Sequence, residues 1–232
     1  MTLSDQLIPK KILEHLSFLL IFTLVGLGVY YSRTDLAYYE GTFVREDGLI
    51  EWLTVTALFI GVVLNIYRVS ILTPFREKAF LFGLYFCAFL FFFGLAEEIS
   101  WAQRLIGYKS PQFFLIYNTQ GEFNFHNLRF GGFKINRYIF GTLLGILVGI
   151  YFLILPVLYQ KIQKVKLLID KWAIPLPRYY HILAYLLLAL LVNFIEGGKK
   201  GEILELGGCW IFMLMFFEPF NREIFSRKSF VR

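Results

Sequence analysis

Long apolar runs separated by short polar segments dominate the chain, near residues 13–31, 49–67, 78–98, 138–158, 180–196 and 203–219. Each approaches the roughly 17–21 residues a helix needs to cross the hydrocarbon core of a bilayer. In lipid the backbone must satisfy its own hydrogen bonds, so only helices or closed barrels cross. The strict apolar–polar alternation of barrel strands is absent from these runs. The pattern predicts an all-α, polytopic transmembrane bundle of about six spans, one integral membrane domain over residues 1–232. The last two runs are short and meet in a tight turn, Gly197-Gly198-Lys199-Lys200-Gly201.

The connections carry their own signals. The longest, between the third and fourth runs, has about 40 residues, and loops of that length are often functional. Within it Ser110-Pro111 reads as an N-cap followed by proline at the first helical position, which predicts a short interfacial helix over the apolar stretch Gln112 to Tyr117. Residues 32–47 predict another, opened by Ser32 with Asp35 three residues on. Lys10 and Lys11 precede the first run and no small-x-small cleavage site follows it, so it reads as a retained span.

Composition agrees with the pattern: 57% of the residues are hydrophobic and 19% aromatic, with a mean hydropathy of +0.61. The net charge of +6 changes the picture only through its distribution. No aromatic-basic patch of a soluble nucleic-acid binder is present, and membrane lipids are the expected partners. With the N-terminus inside, 14 of the 23 basic residues fall on the inner side, among them Lys10, Arg227, Lys228 and Arg232. By the positive-inside rule both termini are cytoplasmic, and the expected location is the bacterial inner membrane. The acids do the reverse: Asp5 and five others are inside, and 11 of the 17 lie at the outer side. Cys87 and Cys209 both fall within apolar runs and read as packing residues.

Four outer clusters could carry chemistry. The first is Glu97-Glu98-Ile99-Ser100-Trp101-Ala102-Gln103-Arg104. If the third helix continues, Glu97, Ser100, Trp101 and Arg104 share one face. A charged residue at the bilayer centre costs roughly 2.5–3.5 kcal/mol, so two adjacent acids near a span end need partners or a role. The plain alternative is an ion pair with Arg104 or Arg137. The second is Gln120-Gly121-Glu122-Phe123-Asn124-Phe125-His126-Asn127, in which polar and aromatic residues alternate. Extended, it turns Glu122, Asn124 and His126 one way and the phenylalanines the other. A Glu and a His on one face suit a divalent metal ion or acid–base chemistry, or merely a loop held by its own amides.

The third cluster, Asp47, Glu51 and Thr54, forms a stripe at the outer start of the second span, where acids also favour the helix dipole. The fourth is Glu196, Glu202 and Glu205, with Lys199 and Lys200 beside them and Gly207 and Gly208 allowing close helix packing. His15 and His181 sit at inner span ends and read as interfacial residues. No Ser-His-Asp order, phosphate loop or dinucleotide fingerprint occurs.

The three runs Glu-Asp-Gly-Leu-x-Glu-Trp-Leu-Thr from Glu46, Glu-Glu-Ile-Ser-Trp-x-Gln-Arg from Glu97 and Gln-Gly-Glu-x-Asn-x-His-Asn from Gln120 together resemble uncharacterised bacterial multi-pass inner-membrane proteins. The resemblance covers most of residues 45–130 and implies no activity. A weaker likeness is to CAAX-type intramembrane proteases, which carry a Glu-Glu pair on a membrane helix. Here Arg104 lies six residues after Glu98 rather than four. Phe123 and His126 are one residue too close for that family's second motif, and Tyr185 stands where its third needs asparagine.

The reading that joins these features is a membrane-embedded enzyme with a polar site at the outer face, acting on a lipid or lipid-linked substrate as a hydrolase or transferase. Glu98, Glu122 and His126 are the expected metal ligands or acid–base groups, with Glu97 and Arg104 also in the catalytic set. Glu51, Trp101, Gln103, Gln120, Asn124 and Asn127 are expected to contact substrate. The alternatives are a structural or assembly subunit, docking a protein partner or a second copy, and an ion or small-molecule transporter.

Overall fold

A computed structural model of the chain describes residues 10–226, so that Asp5, Arg227, Lys228 and Arg232, counted above, lie outside the described residues, as does the Lys10 side chain. The protein is mostly helical. Helix α1 (Lys10–Thr34) is followed by a single turn α2 (Leu36–Tyr38) running into a wider π-turn over Tyr39–Phe43. Then come α3 (Leu49–Leu72), α4 (Lys78–Glu98) and the short α5 (Gln103–Ile106) and α6 (Gln112–Tyr117). A two-stranded antiparallel hairpin, β1 (Arg129–Phe130) and β2 (Phe133–Lys134), leads into a long helical stretch over 136–161 that contains α7 (Leu144–Gly149) and ends in α8 (Leu155–Lys161). The chain closes with α9 (Gln163–Lys171), α10 (Tyr179–Val192) and α11 (Lys200–Phe217).

Four helices are long and apolar enough to cross a membrane: Lys11–Thr34, Leu49–Phe75, Lys78–Glu98 and Asn136–Lys161. They match the first four apolar runs. The fifth run forms a helix of 14 residues, Tyr179–Val192, shorter than the run itself. In the fourth helix the backbone widens to π geometry over Ile150–Ile154, just before Pro156. Proline has no N–H and its ring collides with the carbonyl four residues earlier, here Phe152, so the ladder opens at that point.

Two local expectations shift. Ser32 does not open a helix; it lies within α1, and Asp35 is the cap instead, accepting the Tyr38 N–H at 2.9 Å. The first apolar helix simply runs further than its cap signal. Likewise Pro111, not Ser110, is the N-cap of α6. The Ser110 hydroxyl is engaged elsewhere, donating to the Gly121 carbonyl at 2.6 Å.

By its internal contacts the chain divides into two compact units. One takes residues up to 57 together with 177–219. Here α1, α10 and α11 pack on one another. Gly207 lets α11 approach α10 closely, since a Cβ there would lie 2.6 Å from Leu188 Cδ2. The Trp210 indole donates to the Leu53 carbonyl at 3.1 Å, tying α11 to the first turns of α3. The α10–α11 turn is gripped by the last turn of α1 and the segment after it: Glu40 Oε1 accepts the Gly198 N–H at 2.7 Å, Ser32 Oγ accepts that of Glu196 at 3.2 Å, and the buried Tyr39 hydroxyl donates to the Lys199 carbonyl at 3.3 Å. Gly197 makes this turn at φ +95°, a conformation that suits glycine. Lys199 directs its ammonium to the Glu40 carbonyl at 3.4 Å.

The same unit holds polar groups at the other end of α1. Tyr180 donates to Glu14 Oε1 at 2.6 Å, and the fully buried His181 accepts the Arg178 N–H on Nδ1 at 3.2 Å. Expected at an interface, His181 is instead sealed within the unit, with Glu14 3.6 Å from its Nε2.

The second unit takes residues 58–176 and 220 onward. Val69, Leu72, Phe80, Leu84, Ala173 and Phe225 form one of its cores. Arg68 and Arg76 lie over the rings of Phe225 and Phe80, each 4.5 Å from the ring centre. Gly83 sits against the backbone after α9, where a Cβ would fall 1.9 Å from the Trp172 carbonyl oxygen. Neither Cys87 nor Cys209 is in a disulfide.

Candidate functional site

The polar site lies in the second unit and begins where α4 stops. The apolar run carries the helix to Glu98, and the next three residues after Ile99 turn left-handed: Ser100 at φ 47°, Trp101 at 53° and Ala102 at 64°. Left-handed backbone costs a non-glycine residue roughly 1–2 kcal/mol. The expected continuous helix through Arg104 is therefore absent. Its four same-face residues are nevertheless gathered, through the loop that follows α6 rather than along one helix.

Glu97 is the anchor. It is 4% exposed, and its carboxylate takes three hydrogen bonds: from the Trp101 indole at 2.7 Å, the Phe125 N–H at 2.7 Å and the His126 N–H at 2.9 Å. The His126 Nδ1 lies 3.3 Å from the same oxygen as the two amides. Charge-assisted bonds of this kind are each worth about twice a neutral one. Together they bind residues 125–126 to the end of α4.

Glu122 sits on a second set of donors. The Ser100 hydroxyl donates to it at 2.5 Å, Arg104 at 3.2 Å and the Asn124 amide at 3.3 Å. Arg104 also donates to the Glu98 carbonyl at 3.1 Å, covering the carboxyl end of α4. Arg104, expected to pair with the Glu97-Glu98 acids, forms a salt bridge with Glu122 at 3.2 Å.

The amide side chains finish the loop. Asn124, 1% exposed, donates to Ser100 Oγ at 3.0 Å and accepts from the Asn118 amide at 2.8 Å. Gln103 accepts the Phe123 N–H at 2.7 Å and donates to Ser110 at 2.7 Å. Asn127 donates to Gln120 at 2.5 Å. Opposite the polar groups, Phe123 and Phe125 pack with Trp101 and Phe114, the closest rings 4.6 Å apart. The alternation of polar and aromatic residues expected over Glu122 to His126 is present as two such faces, although the segment is not a strand.

The expected metal set of Glu98, Glu122 and His126 is not assembled. Among the described residues no group of three or more His, Cys, Asp and Glu side chains is placed to hold a metal ion. Glu122 is held by Arg104, whose positive charge disfavours a cation beside it, and His126 turns to Glu97 instead. Glu51 belongs to the other unit, where it accepts the Asp47 N–H at 2.9 Å and closes the start of α3. Thr54 returns its hydroxyl to the Ile50 carbonyl. Sequence reasoning missed Asn118 and Ser110, both buried and both bonded to the loop. The signal for Asn118 was its place two residues before Gln120-Gly121, where an Asn side chain bonds the backbone ahead of it; it accepts the Gln120 N–H at 2.8 Å.

One group in the site stays open. With its proton on Nδ1, toward Glu97, the His126 ring keeps a lone pair on Nε2, which has no hydrogen-bond partner among the described residues. The side chain is 25% exposed. A carboxylate that orients an imidazole through Nδ1 leaves Nε2 able to accept a proton. Comparison of the chain with protein-family models, with curated proteins and with solved structures finds no match.

Proposed function

We propose that this chain is a membrane-embedded enzyme in which His126, oriented by Glu97, acts as general base on a lipid or lipid-linked substrate at the outer membrane face. The supporting observation is the Glu97–His126 pair: Nδ1 faces the carboxylate at 3.3 Å, and the side chain is 25% exposed. Glu122 and Arg104 are positioning residues in this reading, since each spends its charge on the other and on the loop. The site lies between two helices long enough to cross a bilayer, α4 and the helix beginning at Asn136, which favours a substrate met at the membrane surface. The exposed apolar side chains of α6, Leu115 and Ile116, suit a helix lying in that surface.

The topology proposed with it has six crossings, both termini cytoplasmic, in a bacterial inner membrane. Its shortest member, α10, is about 21 Å long, so this crossing requires local thinning of a core that is about 30 Å thick.

The test is turnover in nanodiscs made from a total bacterial lipid extract, followed by mass spectrometry of the lipids. The wild-type chain should consume at least one lipid species that His126→Gln leaves intact at equal folding. Identical lipid profiles for the two would overturn the reading. The density of bonds on Glu97, Glu122 and Asn124 favours one competing reading, a rigid platform that docks a protein partner. It predicts no turnover, and a stable partner lost when Glu97 is replaced.

A further inference from the structure

Between Glu122 and Asp170 the chain carries no acidic residue, yet Arg129, Lys134 and Arg137 fall close together. The hairpin arranges two of them directly. Arg129 is the cross-strand partner of Lys134, and Phe130 that of Phe133. Because successive strand residues face opposite ways, the hairpin has a cationic face and an aromatic face. The turn is Gly131-Gly132, with Gly131 at φ +58°, as a two-residue hairpin loop demands.

Like charges set directly opposite each other destabilise a strand pair. Arg129, Lys134 and Arg137 are exposed, and none makes an ion pair among the described residues. The Arg129 Nε–H reaches only the Gly131 carbonyl, at 3.1 Å. The aromatic face is only half covered: Phe130 packs on Tyr117 at 5.3 Å and Phe133 stacks on Tyr138 at 4.8 Å, while both phenylalanines stay more than 40% exposed. Two residues beyond β2 the apolar helix begins at Asn136. A hairpin at the mouth of a span lies at headgroup depth, where aromatic rings and cations both favour the interface.

We propose that this hairpin, with Arg137, is a binding site for an anionic phospholipid. Arg129 and Lys134 donate to the headgroup phosphate, and Phe130 and Phe133 lie along the apolar part of the same lipid layer. The anion relieves the opposed charges, and the bilayer covers the exposed rings. The site does not depend on His126 doing chemistry.

The full chain, purified in detergent, is titrated with phosphatidylglycerol or with phosphatidylcholine of the same acyl chains, and retained lipid is read by native mass spectrometry. Phosphatidylglycerol should be retained in preference. The double variant Arg129→Gln/Lys134→Gln should weaken that preference on the order of tenfold, and Lys164→Gln/Lys166→Gln, on another basic segment, should weaken it less. The single variant Lys134→Gln removes an exposed ammonium with no bond to other described groups, so it keeps the fold and should show part of the loss. An undiminished preference in both hairpin variants would overturn the proposal. So would displacement of the lipid by inorganic phosphate at equal concentration, which would make the hairpin a site for free anions.

Discussion

The carboxylate of Glu97 accepts the backbone N–H of His126 at 2.9 Å and, through the same oxygen, lies 3.3 Å from the Nδ1 of that residue's ring. One side chain therefore fixes both where His126 sits and which way its imidazole faces. Replacing Glu97 with Gln keeps the shape but removes the charge behind these bonds, and one amide NH₂ would face donors. We expect Glu97→Gln to lower stability by about 2–3 kcal/mol, read as a lower midpoint of thermal unfolding in detergent.

His126→Gln is expected to behave oppositely. Among the described residues its ring makes a polar contact with Glu97 alone, and the amides that bind Glu97 belong to the backbone. Stability should change by less than about 1 kcal/mol, while the turnover proposed above disappears. A large drop in the unfolding midpoint would make His126 a structural residue.

The left-handed turn after α4 gives a third expectation. Ala102 holds φ 64°, a conformation that glycine adopts without its steric cost. Ala102→Gly should therefore raise stability by up to about 1 kcal/mol. Ser100→Gly relieves similar strain but loses the hydroxyl that bridges Glu122 and Asn124, so it should lower the unfolding midpoint.

Two glycines in the second unit separate close approach from mere helix composition. A Cβ on Gly83 would fall 1.9 Å from the Trp172 carbonyl oxygen, whereas one on Gly94 would meet only Leu58 methyls at 3.5 Å or more. Gly83→Ala should cost at least about 1–3 kcal/mol, and Gly94→Ala should be neutral or better. Equal midpoints for the two variants would contradict the packing of α4 on the segment after α9.

Tyr39 offers a pH test in the first unit. Burial first, then the charges of Glu202 and Glu40, push its phenol up from 10.0 to about 12. The folded state then holds this proton more tightly than the unfolded state does. The contribution to stability is complete below pH 10 and is lost as pH rises from there toward 12. Tyr39→Phe should flatten the alkaline loss of stability over that window, measured as the difference between the two unfolding profiles.

The helices were legible because length and apolarity alone mark a membrane-compatible segment, and four of the runs meet that standard in the structure. The two faces of Glu122 to His126 were legible because alternation survives in an irregular loop. Two things were not. The break at Ser100 depends on loop bonds made more than 20 residues away, so local periodicity wrongly extends the helix through Arg104. The partners of the acids were equally hidden: charge matching offers Arg104 to Glu97, Glu98 or Glu122 alike, and the fold brings it within 3.2 Å of Glu122.

The grip of Ser32, Tyr39 and Glu40 on the turn after α10 has a consequence for biogenesis. These residues are made first, and the amides and carbonyl they bind follow some 160 residues later. The second unit has the same dependence, since Phe80 and Arg68 wait for Phe225. The first unit cannot close before residues 196–199 are made, nor the second before Phe225 is. A chain cut before residue 196 would lack the backbone groups that Ser32, Tyr39 and Glu40 bind, and the Phe225 ring that Phe80 and Arg68 meet, so it would leave both units open.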